Sequence, residues 1–315
     1  MRFIAAICAV LVSAAIQAQP YPSKPVRFVV PFAPAGPTDI LARLLSPKLS
    51  DSWGQPVVVE NRPGAGGNLG SAQVARAAPD GYTILVHTSA IAVNATLTSN
   101  PGYDIDKDFV PVVNLASSPN MIVTGAAGPA SLRELIEHSR SGGLIYGSPG
   151  TGTTPHLTAE YLFKILAGLK TTHVPYKGGA PAAAAAVSGE VIAVSMAMPT
   201  AVPFIKGGKM RGLAVMSDKR IAALPDVPTI AEVGFPGFED YTWVGVFAPT
   251  GTPQNVVAKI NSDVNAILGQ SETRERLAGI GFEAVGGSPE SFGSYVKREV
   301  MKWGKVIRET GAKAE

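Results

Sequence analysis

Apolar positions along this chain fall into two rhythms: short β-branched runs and longer stretches spaced like one face of a helix. Val26, Phe28, Val29 and Val30 form a run that reads as a buried strand. Pro31 and Pro34 end it, because proline cannot donate to a ladder. Ile40, Leu41, Leu44, Leu45 and Leu49 then recur at helical spacing and predict one buried stripe. Gly36 fits the N-cap of that helix and Pro37 its first position, where the missing N–H costs nothing. The succession repeats further on. A strand ends at Tyr146, and Gly147, Gly150 and Gly152 loosen the loop after it. Thr154 is placed to cap a helix with Pro155 at its first position and Leu157, Tyr161, Leu162 and Ile165 on its buried stripe.

The same patterns predict strands at 56–60, 82–87, 109–115, 121–123, 173–176, 191–196, 212–216 and 241–248. Helices are expected over 71–78, 131–139 and 181–188, after Thr252-Pro253 and after Ser288-Pro289, and a short one within 225–233. Ser131 and Glu134 have the spacing of a capping box. Strands alternating with helices give an α/β fold with mainly parallel sheets. Breaks near Pro119 and Trp243 divide it into two lobes, 19–120 with 245–315 and 121–244, with a cleft between them. Side chains near Ala90, Ala197 and Met198 set the volume of that cleft.

Composition narrows the picture. Hydrophobic residues make up 46% and charged residues 16%, enough for sizeable cores and against disorder. A net charge of +3 without a basic block argues against nucleic acid as a partner. The first 18 residues read as an export signal: Arg2, an apolar stretch from Phe3 to Ile16, and cleavage after Ala18. Its removal takes away Arg2 and Cys8, leaving 26 basic against 24 acidic residues and no cysteine, hence no disulfide. No later run reaches about 18 apolar residues, the length needed to span a bilayer.

The loop before Pro37 delivers unpaired amides and the positive end of a helix dipole to the C-terminal edge of a sheet, where open α/β folds bind ligands. Gly36, Thr38 and Asp39 are candidate contacts there, and Ser148, Gly150, Thr151, Thr153 and Thr154 in the second loop. Neither loop contains Arg or Lys, so an acid group there is held by N–H groups, hydroxyls and water rather than a guanidinium clamp. Asp39 either serves the ligand or complements the helix dipole, and His156 either donates to an anion or fills a structural niche. Ser89 and Tyr176 are further candidates. GSPGTGTT lacks the lysine of a phosphate loop, and the glycines at 64, 66, 67 and 70 read as a structural turn rather than a dinucleotide motif. Ser148 with His156 is the one pair that supports an alternative reading as an exported hydrolase. YGSPG is not the nucleophile-elbow pattern, however, and the histidines lack metal-ligand spacing, so no enzyme activity, metal or cofactor is expected.

An export signal followed by YPSKPVRFVVPFAPAGPTDILAR, ENRPGAGGNLG, YGSPGTGTTPHL, HVPYKGG, ALPDVPTIAE and WVGVFAPTGTP resembles the Bug family, the periplasmic receptors of tripartite tricarboxylate transporters. The resemblance covers essentially the whole mature chain. It implies a type II periplasmic-binding-protein fold that closes on a small organic acid: a mono- or dicarboxylate, an amino acid or an aromatic acid. It implies a periplasmic, monomeric receptor that serves membrane permease subunits, with a sensor role as the alternative. The ligand-holding loops of the family correspond to 32–39 and 148–156, which adds Phe32 and Ala35 to the candidates. Ala35 stands where the family more often has glycine, and alanine resists the left-handed backbone that a glycine would supply.

Overall fold

The computed structural model of the protein describes residues 21–314, so the export-signal reading and Cys8 lie outside the described residues. The first half runs β1 (Val26–Val30), α1 (Pro37–Trp53), β2 (Val57–Asn61), a 3₁₀ turn at Ala65–Gly67, α2 (Asn68–Ala75), β3 (Thr83–Thr88), α3 (Ala90–Leu97) and α4 (Ile105–Asp108). The long strand β4 (Phe109–Gly125) then leads to α5 (Leu132–Gly142), β5 (Leu144–Ser148), α6 (Thr154–Ala159), a π-helical stretch at Glu160–Leu166 and β6 (Thr171–Pro175). The chain continues through α7 (Gly179–Ser188), β7 (Ala193–Ala197), α8 (Met198–Lys206), β8 (Met210–Val215) and β9 (Tyr241–Pro249). It ends with α9 (Gln254–Leu268), α10 (Ser271–Ala278), β10 (Glu283–Gly286) and α11 (Pro289–Thr310).

The parallel pairing expected from strand–helix alternation holds for β2-β1-β3 and for β6-β5-β7. The long strands β4 and β9 add antiparallel ladders: β9 pairs with β3 and β4, and β4 goes on to pair with β7 and β8. β4 is therefore the element that carries the chain from one sheet to the other. It runs without interruption through Ser117-Ser118-Pro119-Asn120, where the sequence predicts a break between two strands. Pro119 is tolerated because it sits where the partner changes, between the Pro119–Tyr241 pair and the Asn120–Ala197 pair.

Two apolar clusters flank each sheet. Val26, Phe28, Leu41, Leu45 and Ile84 pack with Val264 and Ile260 on one side of the first sheet, and Val29, Leu85, Trp243 and Phe292 on the other. Ala182, Val194, Met196 and Val202 cover one face of the second sheet, and Leu135, Tyr146, Leu162 and Phe163 its other face.

Other differences from the pattern have local causes. Ile165, expected on the buried stripe, is 45% exposed, because the π-helical stretch rotates the face that a 3.6-residue period would bury. Residues 225–233 form turns and no helix. The helix expected at Ser71 begins at Asn68. The α6 cap is Thr153 rather than Thr154. Helices α3 and α8 give no readable stripe, since AIAVNATL is apolar on nearly every side and α8 carries Pro199 and Pro203.

Candidate functional site

The loop between β1 and α1 forms one wall of a cavity. Gly36 caps α1 with extended backbone, and Pro37 occupies its first turn. Asp39, buried in that turn, accepts hydrogen bonds from the Ala35 N–H (2.9 Å), Arg43 Nε (2.9 Å) and Asn61 Nδ2 (2.9 Å). Burial would raise its carboxyl, but these donors outweigh it and hold the group below the usual carboxylate range. Asp39 thus braces the loop from behind, and its oxygens are already engaged by the protein. Ala35 keeps a left-handed φ of 63°, the conformation that the sequence argues alanine should resist.

The opposite wall comes from the second sheet. The loop after β5 turns through Gly150 and ends at Thr153, whose side chain accepts from the His156 N–H and donates to the Gly150 carbonyl. Phe32, Gly36, Pro37, Thr88 and Thr242 meet Pro149, Thr153, Pro155, Gly179, Ala197 and Thr200 across the cavity. Among the described residues, none of the lining side chains is charged. Charge enters through the backbone. The cavity is walled by the starts of α1, α6, α7 and α8, with Thr88 at the end of β3 beside them. Helix starts present N–H groups with no intrahelical acceptor and the positive end of the peptide dipole. Such a surface accepts anions without a cationic side chain.

The walls touch. Ala33 N–H donates to the Lys177 carbonyl at 2.9 Å, and Asn94 Nδ2 reaches the carbonyls of Gly66 and Gly152. Behind the cavity runs a buried polar chain. Ser89 Oγ meets Thr154 Oγ1 at 3.0 Å, Thr154 meets Thr242 at 2.9 Å, and Thr242 donates to Asn120 Oδ1 at 2.7 Å. Asn120 Nδ2 then donates to Asp240, as does the Thr158 hydroxyl. Burial pushes the Asp240 carboxyl up, against Lys302 on its outer side.

The sequence candidates divide accordingly. Phe32, Gly36 and Thr153 line the cavity. Ser89 and Asp39 stand behind it as supports. Thr38 is fully buried in the first turn of α1 and its hydroxyl has no partner among the described residues. Ser148 is buried and hydrogen-bonds His173 Nε2 at 2.7 Å, so its histidine neighbour is not His156 as the hydrolase alternative supposes. His156 instead accepts from the Gly152 N–H and stacks on His173 with ring centroids 4.1 Å apart. Gly150 and Thr151 meet Gly66 of the facing wall by close backbone approach. Tyr176 points to Glu190, away from the cavity, at 2.7 Å. Sequence reasoning missed Thr88, Thr200 and Thr242 as lining residues. Their signal was faint: single threonines in or beside apolar strands, with only the Gly178-Gly179 pair and the turn at Ala197 to mark the wall.

The described residues contain no helix long and apolar enough to cross a membrane. A family model described as the tripartite tricarboxylate transporter family receptor matches residues 41–312. The chain is 37% identical to protein BugT of Bordetella pertussis, over 96% of this chain and 94% of that relative. Among solved structures it is similar to the periplasmic binding protein BugD, with a TM-score of 0.88 at 35% identity over 94% of this chain and 100% of that one. The Rpa4515 protein of R. palustris, solved with adipate, gives a TM-score of 0.89 at 38% identity over 93% of this chain and 99% of that one.

Proposed function

The chain belongs to the tripartite tricarboxylate transporter receptor family, and from that premise we propose that it closes on a small organic carboxylate and presents it to a permease of that transporter type. The family's members are binding proteins, so the chain is not an enzyme. One observation carries the ligand class: four helix starts converge on a cavity with no charged side chain among its described lining residues. In this reading the acid group lies between the loops that end at Gly36 and Thr153 and takes hydrogen bonds from helix-start amides and the Thr88 hydroxyl. Phe32 and Pro149 cover the carbon skeleton, and Thr88 supplies a hydroxyl behind it, its own oxygen accepting, among the described residues, only from the Ala90 N–H. Residues 19–120 with 245–315 move as one lobe and 121–244 as the other. The mature protein works as a monomer in the periplasm after cleavage near Ala18.

Titration calorimetry with a panel of mono- and dicarboxylates, acidic amino acids and aromatic acids tests the proposal. Micromolar binding of at least one acid, about −8 kcal/mol, is expected. At a hundred-fold excess over Kd the same acid raises unfolding stability by about 2.7 kcal/mol. Silence across the panel in both measurements overturns it.

A further inference from the structure

Asp240 is 2% exposed and stands where the chain enters β9. Its Oδ2 accepts from Asn120 Nδ2 at 2.6 Å and from the Thr158 hydroxyl. Its Oδ1 has no hydrogen-bond partner among the described residues. A buried carboxylate with one oxygen unpaired is costly, and few native groups are left that way. Lys302 approaches it without satisfying it. The Lys302 Nζ lies 3.9 Å from Asp240 Oδ1 and 3.9 Å from Glu299 Oε1, beyond hydrogen-bond reach of both. One ammonium, on a side chain that is 47% exposed, is thus shared between two buried carboxylates.

Asp240 also lines a pocket of about 280 Å³ that shares no lining residue with the cavity described above. Tyr161 and Phe238 give it one aromatic side, with ring centroids 5.2 Å apart, and Trp303 of α11 gives another. Carboxylates outnumber ammonium groups on its walls: Asp240, Glu239 and Glu309 stand against Lys302 and Lys305, and Lys305 pairs with Glu309 at 3.7 Å. The described residues hold no group of three acidic, histidine or cysteine side chains arranged for a metal ion. Aromatic faces beside a carboxylate suit an organic cation, whose charge meets the oxygen and whose carbon chain lies on the rings. Lys302 already uses this chemistry, with its ammonium 4.9 Å from the centroid of the Trp303 ring.

We propose that this pocket binds a primary ammonium on a short carbon chain, which takes the place of Lys302 beside Asp240, donates an N–H to Asp240 Oδ1 and lays its chain along Tyr161 and Phe238. Lys302, half exposed, swings out to solvent as the ligand enters.

Calorimetry at constant ionic strength, with putrescine and n-butylamine against tetramethylammonium and 1-butanol, tests it on wild type, Asp240→Asn, Tyr161→Leu and Lys302→Met. Wild type binds an amine saturably with a Kd below about 1 mM and does not bind 1-butanol. Tetramethylammonium, which has no N–H to donate, binds at least about ten-fold more weakly. Asp240→Asn weakens the amine by at least about ten-fold, and Tyr161→Leu by about three-fold. Lys302→Met removes the competing ammonium and tightens the amine several-fold, a gain that a purely structural Asp240 would not give; this variant decides the matter where Asp240→Asn fails to fold. No saturable amine binding to wild type, equal binding of 1-butanol, or amine affinity unchanged or lower in Lys302→Met overturns the proposal.

Discussion

Ala35 and Asp39 hold the loop between β1 and α1 by an arrangement that neither residue suggests alone. A left-handed φ of 63° at an alanine costs about 1–2 kcal/mol through the clash of its Cβ with the following carbonyl. The Asp39 carboxylate opposes that cost by accepting the Ala35 N–H, and Arg43 and Asn61 fix the carboxylate in turn. The sequence leaves Asp39 between ligand contact and dipole partner; its geometry makes it a brace. Two outcomes follow. Ala35→Gly removes the clash at a smaller entropic cost and raises stability by about 1 kcal/mol, read as a higher urea midpoint with unchanged slope. Asp39→Asn gives up the charge on three hydrogen bonds and lowers stability by about 2 kcal/mol in the same measurement. Because the Asp39 carboxyl is held below its ordinary 3.8, its contribution is complete above that pH and is lost as pH falls through the lower folded value. The asparagine variant lacks that acid dependence.

At the scale of elements, what could be read from the sequence is what local chemistry decides. Val26–Val30 and Tyr241–Pro249 are apolar enough to be strands in any surroundings, and Pro37 and Pro155 mark helix starts because of what proline cannot do. The facing of the two loops across one cavity was legible because both precede such starts. What could not be read depends on distant partners. β4 is continuous because β9 and β7 take over from one another across Pro119. The part of the second wall with Gly179 and Thr200 exists only once α7 and α8 are side by side. The contact between walls is set by Gly66, whose φ is 62° and where a Cβ would meet the Thr151 carbonyl at 2.1 Å, a distance at which backbone must shift. Gly66→Ala therefore holds the second wall away from the first. It weakens the best-bound acid at least about ten-fold, by disfavouring the closed arrangement that the ligand needs. Small-angle scattering should show a larger radius in the presence of ligand than for wild type. Equal affinity and equal radius would show that this contact does not govern closure.

Over the whole molecule, both cavity loops rest on neutral histidines, and that sets the protein's response to acid. His87 lies edge-on to Phe32 behind the first loop, with ring centroids 5.4 Å apart and its Nδ1 2.8 Å from the Thr88 carbonyl. His156 and His173 stack behind the second, and Ser148 joins His173 to the strand end. Burial lowers His87 and His156 to about 4 and, with the neighbouring His156, lowers His173 to about 3, all from an ordinary 6.5. The folded protein keeps these rings uncharged where the unfolded chain protonates them. Below pH 6.5 the unfolded state therefore binds more protons, and stability falls with pH. The contribution is complete above pH 6.5 and is lost progressively down to about pH 4 for His87 and His156 and about pH 3 for His173, at about 1.4 kcal/mol per pH unit for each ring that has become charged in the unfolded state. Thermal unfolding from pH 7.5 to 4.5 should show a steepening loss. His173→Gln, which keeps an amide within reach of Ser148, should flatten the profile by one ring's share. A variant with the wild-type slope would mean that His173 is not among the groups whose protonation unfolds the protein. Since the loops backed by these rings are those proposed to hold the acid, ligand added in excess should raise stability at every pH yet leave the loss below pH 6.5 in place, because protonation acts on the unfolded chain, where no site remains.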